Sequence, residues 1–401
     1  MTSTQERAAG RFGGRVLHPV ADGMVYGAGC AERELAGLLD RSGISRALLV
    51  TTASVVRCGL ADRVAELLGP RLAGRFDGSR EHTPEPVVLE GAERARALGV
   101  DGVVSLGGSS VVDLAKGIVL VLAEGGDLAA LRSEYRAGDP GGTRRPRLDA
   151  PKLPHIAVTT TLSGAEFTGG VGITDLVAGA KRLYWDGKLT PRWVVLDPEL
   201  TLDTPAALWA GTGMKALADT VEVLCSRRAT PLSDAVAAAA LAALHRELGP
   251  SLDEGSPPPA RLEARARCQF AVGMVIPQLA AVGVGLVAGL RHQLGGGLGV
   301  AHGVASTIVL PHVMRWNRPD CEGPLAQAAA AVGVAGPDAL IDAVAALTAA
   351  VGLPGRLRDV GVTEAQLPDV AQHVLGDGAL ATNPRRVTGA DEVLGILRAA
   401  W

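Results

Sequence analysis

The chain has 401 residues, a formal net charge of −3 and an isoelectric point near 6.3, so it offers no field that would gather nucleic acid or an anionic membrane. Hydrophobic residues make up 47% and aromatic ones only 3%, so the core is built from Ala, Val and Leu, which suits packed helices and buried parallel strands; the length suits two domains. Cys30, Cys58, Cys225, Cys268 and Cys321 are scattered without a C-x-x-C pair, which argues against a disulfide framework or a thiolate zinc site and fits a reducing cytoplasm.

The opening segment MTSTQERAAGRFGGR is polar and lacks the apolar stretch of a secretory signal. Residues 45–50 (SRALLV) read as a short buried strand, and 61–68 have helical spacing. The alternation recurs as a helix over 86–98, a strand over 102–106 and a helix over 111–123 that opens after a glycine turn. Strand, turn and helix in repetition predict a parallel sheet with crossover helices. A loop is expected over 138–151, a strand over 155–160, and the end of the sheet domain near 197–198.

Beyond residue 205 the character changes, with Ala/Leu-rich helical spacing over 206–226, 233–248, 260–290 and from 325 onward. The uncharged stretch 268–290 is about long enough to span a bilayer. It holds Pro277, Gln278 and four glycines, so it reads instead as one or two buried helices. DEGSPPPA (253–260) is a helix-to-helix loop, and GGGLGVAHG (295–303) follows a helical pattern and is read as a loop; there is no internal repeat.

In SLGGSSVVDLAKG (105–117) a strand leads into Gly107, Gly108, Ser109 and Ser110, and a helix begins at once. Bare glycine backbone and free helix N–H groups make a seat for a pyrophosphate. A glycine turn in this place is as often purely structural.

The residues of that turn resemble the GGGS-x-x-D-x-x-K signature of iron-type (group III) alcohol dehydrogenases, with Ser109 at the third glycine. IAVTTTLSGAEFT (156–168), DPELT (197–201), GTGMKALADTVEVL (211–224) and LRHQLGGGLGVAHGVASTIVLPHVMRWN (290–317) are similar to further blocks of that superfamily, in its order. The spacing of the second block and REHTPE (80–85) resemble its maleylacetate reductase branch in particular. The resemblance implies an α/β plus all-α fold of dehydroquinate synthase-like architecture, with a Rossmann-like parallel-sheet domain over 1–200, an all-helical domain over 201–401, NADH or NADPH as cofactor, and a homodimer.

Carried over by position, Gly107, Gly108, Ser109 and Asp113 would hold the pyrophosphate and its loop. Thr159, Thr160, Leu162 and Thr168 would line the nicotinamide, and Lys181 would reach the ribose or phosphates. Asp113 has a second reading as a helix cap, and Lys181 as a solvated lysine. Thr52 stands where NAD-preferring relatives carry aspartate, so nothing there repels a 2′-phosphate and NADPH use is expected alongside NADH.

The resemblance also implies a metal site, with Lys215, Asp219, His292 and His302 at its four positions. A protonated lysine cannot ligate a cation and repels it, so a metal is not expected. In one reading the Lys215 ammonium stabilises a developing alkoxide or enolate, with His292 and His302 at the same oxygen and Asp219 or His302 managing the proton. In a second, Lys215 and Asp219 are an i, i+4 ion pair with no chemistry, and in a third Lys215 acts as a base or forms a Schiff base. His82, His155, His245 and His312 receive no catalytic role.

The expected function is a metal-independent NAD(P)H-dependent reductase of a small carbonyl or enoyl-carboxylate substrate, maleylacetate-like by resemblance. The alternatives are a non-redox lyase, isomerase or cyclase using Lys215, and a catalytically inactive binding protein.

Overall fold

The computed structural model describes residues 22–135 and 143–401, and the chain divides between Thr204 and Pro205 into two compact units. The expectation about the opening segment, and that part of the expected loop at 138–142, lie outside the described residues.

The unit ending at Thr204 begins with β1 (Gly23–Tyr26), α1 (Cys30–Ser42), β2 (Ala47–Val50), α2 (Ala53–Arg57), α3 (Leu60–Leu68) and β3 (Leu72–Phe76). Then come α4 (Glu85–Leu98), β4 (Gly102–Gly107), α5 (Ser109–Glu124), α6 (Leu128–Leu131) and a short antiparallel pair, β5 (Glu134–Tyr135) and β6 (Thr143–Arg144). It closes with β7 (His155–Thr159), an antiparallel hairpin of β8 (Gly170–Asp175) and β9 (Ala180–Trp185), and β10 (Trp193–Leu196).

Six of these strands form one parallel sheet in the order β1-β10-β7-β4-β2-β3. Parallel neighbours need crossover connections, and the crossover helices cover both faces. Along β2, Leu48 and Val50 join an apolar cluster with Val88, Ala92, Leu114 and Ile118 of α4 and α5, while Ala47 and Leu49 join a second one with Leu35, Leu38, Ala61 and Val64 of α1 and α3. Successive side chains point to opposite faces, so a strand buried on both sides reads as the unbroken run ALLV.

From β2 the chain steps outward to β3 and then returns to place β4 on the other side of β2. The carboxyl ends of β2 and β4 therefore flank a topological switch point, the place where open parallel sheets receive ligands.

The second unit is helical: α7 (Ala206–Cys225), α8 (Pro231–Leu252), α9 (Pro258–Val282), α10 (Leu286–Leu298), α11 (His302–Val332), α12 (Pro337–Ala350), α13 (Leu367–Val374) and α14 (Ala390–Ala399). Thr230 and Ser233 form a reciprocal capping box that starts α8, which explains the break after α7. In the core Trp209 is fully buried, its Nε1–H donating to Ser251 Oγ at 2.8 Å and the Arg265 guanidinium stacked 4.4 Å from its ring.

One expectation holds here and one changes. The uncharged stretch 268–290 is the end of α9 and the start of α10, which meet at 99°, and among the described residues no single helix is long and apolar enough to cross a membrane. The run 295–303 is only partly a loop: Gly295, Gly296 and Gly297 complete the last turn of α10, and His302 already opens α11. The reason at Gly295 is a close approach, because a Cβ there would lie 2.8 Å from the His302 ring.

Candidate active site

At the switch point, Thr51 Oγ1 donates to the Leu106 carbonyl at 2.9 Å and ties the ends of β2 and β4 together. Thr52 follows, capping α2 by accepting the Val55 N–H at 3.3 Å. Gly107 has φ +152, and a Cβ on it would sit 2.6 Å from Val111 Cγ2; one on Gly108 would sit 2.9 Å from Thr161 Cγ2. Gly107 thus demands glycine, a side chain at Gly108 would have to displace Thr161, and the two leave backbone bare where α5 begins at Ser109; the first N–H groups of a helix have no partner within it.

The segment 159–168 lies against this turn, for the Thr160 N–H donates to the Gly107 carbonyl at 3.1 Å and the Thr160 carbonyl accepts from Thr204 Oγ1 at 2.7 Å. Leu162 is fully buried, and Thr168 Oγ1 reaches the Ala165 carbonyl at 3.4 Å. Thr159 is buried with its Oγ1 lacking a hydrogen-bond partner among the described residues. An orphaned hydroxyl beside a glycine cradle and a helix N-terminus fits a dinucleotide.

Asp113 is the fifth residue of α5 and does not cap it, which corrects one of its two readings. It is enclosed, and its Oδ2 accepts the Gly172 N–H of β8 at 3.3 Å. Burial raises its carboxyl above the usual range, with Lys181 and then Lys116 pulling the other way. Lys181 is exposed, as its solvated reading expected, while its stem lies across Gly172, where a Cβ would collide with its Cε, and its charge acts on Asp113.

In the helical unit, α7 carries Lys215, Asp219 and Glu222 on one face, spaced four and three apart. Lys215 Nζ lies 2.6 Å from Asp219 Oδ2, and Arg291 of α10 approaches Oδ1 at 3.2 Å while donating to Ser306 Oγ at 3.2 Å. Asp219 is 0% exposed at its side chain and Lys215 19%. Glu222 Oε1 accepts the Gly285 and Ala288 N–H groups at 3.0 and 3.2 Å, holding the start of α10. Burial pushes the Glu222 carboxyl up to about 7, opposed by Arg291 and reinforced by Asp219. The result is a buried row of alternating charge.

His292 follows Arg291 and places Nδ1 2.9 Å from Asp377 Oδ2. Burial alone would raise the Asp377 carboxyl, but the hydrogen bond and charge of His292, with the Ala379 N–H, bring it net below its ordinary range. The His292 and His302 rings stand 6.4 Å apart, centre to centre. Gly303, next to His302, packs on the backbone of Gly211, one turn before Lys215, and no Cβ would fit there.

Of the sequence-derived site residues, the structure therefore brings Lys215 to Asp219 and His292 near His302. Sequence reasoning missed Arg291 and Asp377. Arg291 had a signal, an arginine directly after an uncharged stretch and beside a singled-out histidine; Asp377 stands 85 residues from His292 and had none.

Two family models match the chain: "Iron-containing alcohol dehydrogenase" over residues 22–198 and "Fe-containing alcohol dehydrogenase family, C-terminal" over 209–401. The NAD-dependent methanol dehydrogenase of Bacillus methanolicus is 32% identical over 90% of this chain and 94% of that protein. The maleylacetate reductase of Pseudomonas knackmussii is 31% identical over 90% and 91%. A solved 1,3-propanediol oxidoreductase superposes with a TM-score of 0.87 at 29% identity, covering 97% of this chain and 100% of that one. The sheet-plus-helices fold and NAD(H) as cofactor agree with these relatives.

Both matching models are described by their iron, which overturns the sequence expectation that set a metal aside. Tested on this chain's own side chains, the place is a poor fit for a divalent ion: the Lys215 ammonium and the Arg291 guanidinium occupy Asp219. Among the described residues no three His, Cys, Asp or Glu side chains gather around one point. Two family models that together span both units, and relatives above 30% identity over nine-tenths of the chain, show that it belongs to the iron-containing alcohol dehydrogenase family and is an oxidoreductase.

Proposed function

We propose that the enzyme passes hydride from NADH to a small carbonyl or enoyl-carboxylate compound, with Lys215 meeting the oxygen that gains charge. The observation that carries this reading is the Lys215 ammonium, fixed 2.6 Å from a fully buried carboxylate and still 19% exposed. A preorganised cation of this kind stabilises charge that develops on a reacting oxygen. NADH gives hydride to the carbon, the oxygen becomes an alkoxide or enolate beside Lys215, and one proton completes the alcohol or saturated acid. Asp219 is enclosed by two cations, so the proton comes by way of His302 and His292, the latter steered by Asp377.

The cofactor reading rests on the glycine turn at the switch point and the orphaned Thr159 hydroxyl. With Thr52 neutral at the end of β2, NADPH is accepted as well. A 31% identical maleylacetate reductase supports a substrate that carries a carboxylate next to its reducible group.

Calorimetric titration with NADH and NADPH tests the first half. Loss of the near-ultraviolet absorbance of NADH over a panel of short aldehydes, 2-oxo acids and 4-oxo-2-enedioates tests the second. Both nucleotides are expected to bind and at least one panel member to be reduced. No binding, or no oxidation across the panel, rejects the reading.

A further inference from the structure

Lys116 lies two turns into α5 and is 0% exposed. Its Nζ donates to the carbonyls of Ala165 at 2.7 Å, Thr168 at 2.6 Å and Gly170 at 2.9 Å. These acceptors come from one six-residue segment, and an ammonium has three N–H groups to give them. Three carbonyl dipoles aimed at one point repel each other unless a cation with three donors sits there; a neutral amine supplies only two. One turn earlier on the same helix, Asp113 accepts the N–H of Gly172. The stretch 165–172 is thus tied at four points to the helix that opens at the glycine turn.

We propose that Lys116 is a positioning residue for the nicotinamide cofactor: its buried ammonium fixes the 165–170 loop, and with it Thr168, against the helix that begins at Gly108. The inference rests on the reading above that the glycine turn and residues 159–168 receive NAD(H). It adds that the loop keeps its binding shape only while Lys116 is protonated.

Burial pulls Lys116 down to about 8, with Asp113 of α5 and Glu166 of the loop holding it up. His155 of β7, which faces it from the sheet, is itself pushed down to about 3 by burial and then by Lys116, so it adds no charge near neutrality. Lys181 of β9 adds a positive charge beside Asp113. Raising the pH through 8 therefore removes the third donor from the loop.

The test is the NADH dissociation constant of the wild-type enzyme from about pH 7 to 9.5, beside Lys116→Arg and Lys116→Met, with KM and kcat for NADH in parallel. The wild type is expected to bind more weakly above pH 8 and to take up protons on binding, seen as a dependence of the heat on buffer ionisation. Lys116→Arg, charged throughout, is expected to lose that pH dependence, and Lys116→Met to raise KM for NADH about tenfold or more with a smaller change in kcat. A folded Lys116→Met with the wild-type KM overturns the inference. If that variant does not fold, a wild-type affinity unchanged across the pH range, or the same fall in Lys116→Arg, overturns it. If the wild type binds no NADH at any pH, the cofactor reading fails and takes this inference with it.

Discussion

Replacing Lys215 by methionine removes the ammonium and keeps a side chain of similar length. Asp219 then retains Arg291 at 3.2 Å as a cation, so it is not stranded in the core. Breaking a buried pair outright costs about 3–5 kcal/mol. With Arg291 left in place, the loss of stability is set at about 1–3 kcal/mol, below an outright break because one of the two ion pairs of Asp219 remains. The effect on rate is a separate quantity: loss of one preorganised donor to a developing oxyanion lowers kcat about 10²–10³-fold, or about 3–4 kcal/mol. The assay is NADH oxidation with the best carbonyl substrate, at a temperature well below the variant's melting midpoint, together with calorimetric binding of NADH. The Lys215→Met variant is expected to lose kcat on that scale while binding NADH within about twofold of wild type, because the glycine turn belongs to another unit. A kcat within tenfold of wild type would refute the role given to Lys215 and leave it an ion pair alone.

Gly108→Val crowds Thr161 and covers the bare backbone at the start of α5, so calorimetry should show NADH affinity reduced by about tenfold or more, at a packing cost of about 1–3 kcal/mol. Thr52→Asp places a carboxylate at the end of β2, where it accepts from a ribose hydroxyl and repels a 2′-phosphate; the ratio of kcat/KM for NADH over NADPH should rise about tenfold. Glu222 has a carboxyl raised from 4.5 to about 7, so its share of stability is complete below pH 4.5 and lost as pH climbs through 7. Relative to Glu222→Gln, which keeps the oxygen that accepts from Gly285 and Ala288, the wild type should lose about 3 kcal/mol between pH 4.5 and 8 by urea unfolding; a difference that does not change with pH contradicts this.

The buried centre of the sheet was legible because ALLV and GVVSLG are apolar on both faces and end in glycine or a helix start. The edges were not. β3, LAGRF, is half-buried at the sheet edge and holds Arg75 out to Asp62, and β9 alternates exposed and covered positions with Leu183 and Trp185 outside, so neither shows an apolar run. In the helical unit the glycines at 295–297 read as a loop, because the close approach of His302 that asks for Gly295 is a tertiary fact. The Lys215–Asp219 pair followed from i, i+4 spacing, a local property. Arg291, Asp377 and the three carbonyl partners of Lys116 lie 72, 85 and 49 to 54 residues from the groups they serve, and only folding brings them there.

The most direct measurement is the fate of the hydride: a single turnover with NADH deuterated at the transferable position of C4, and mass analysis of the reduced product. One deuterium on the former carbonyl or enoyl carbon, delivered to a single face, is the predicted result. A product formed without the label would contradict hydride transfer and, with it, the assignment of Lys215 to the charged oxygen.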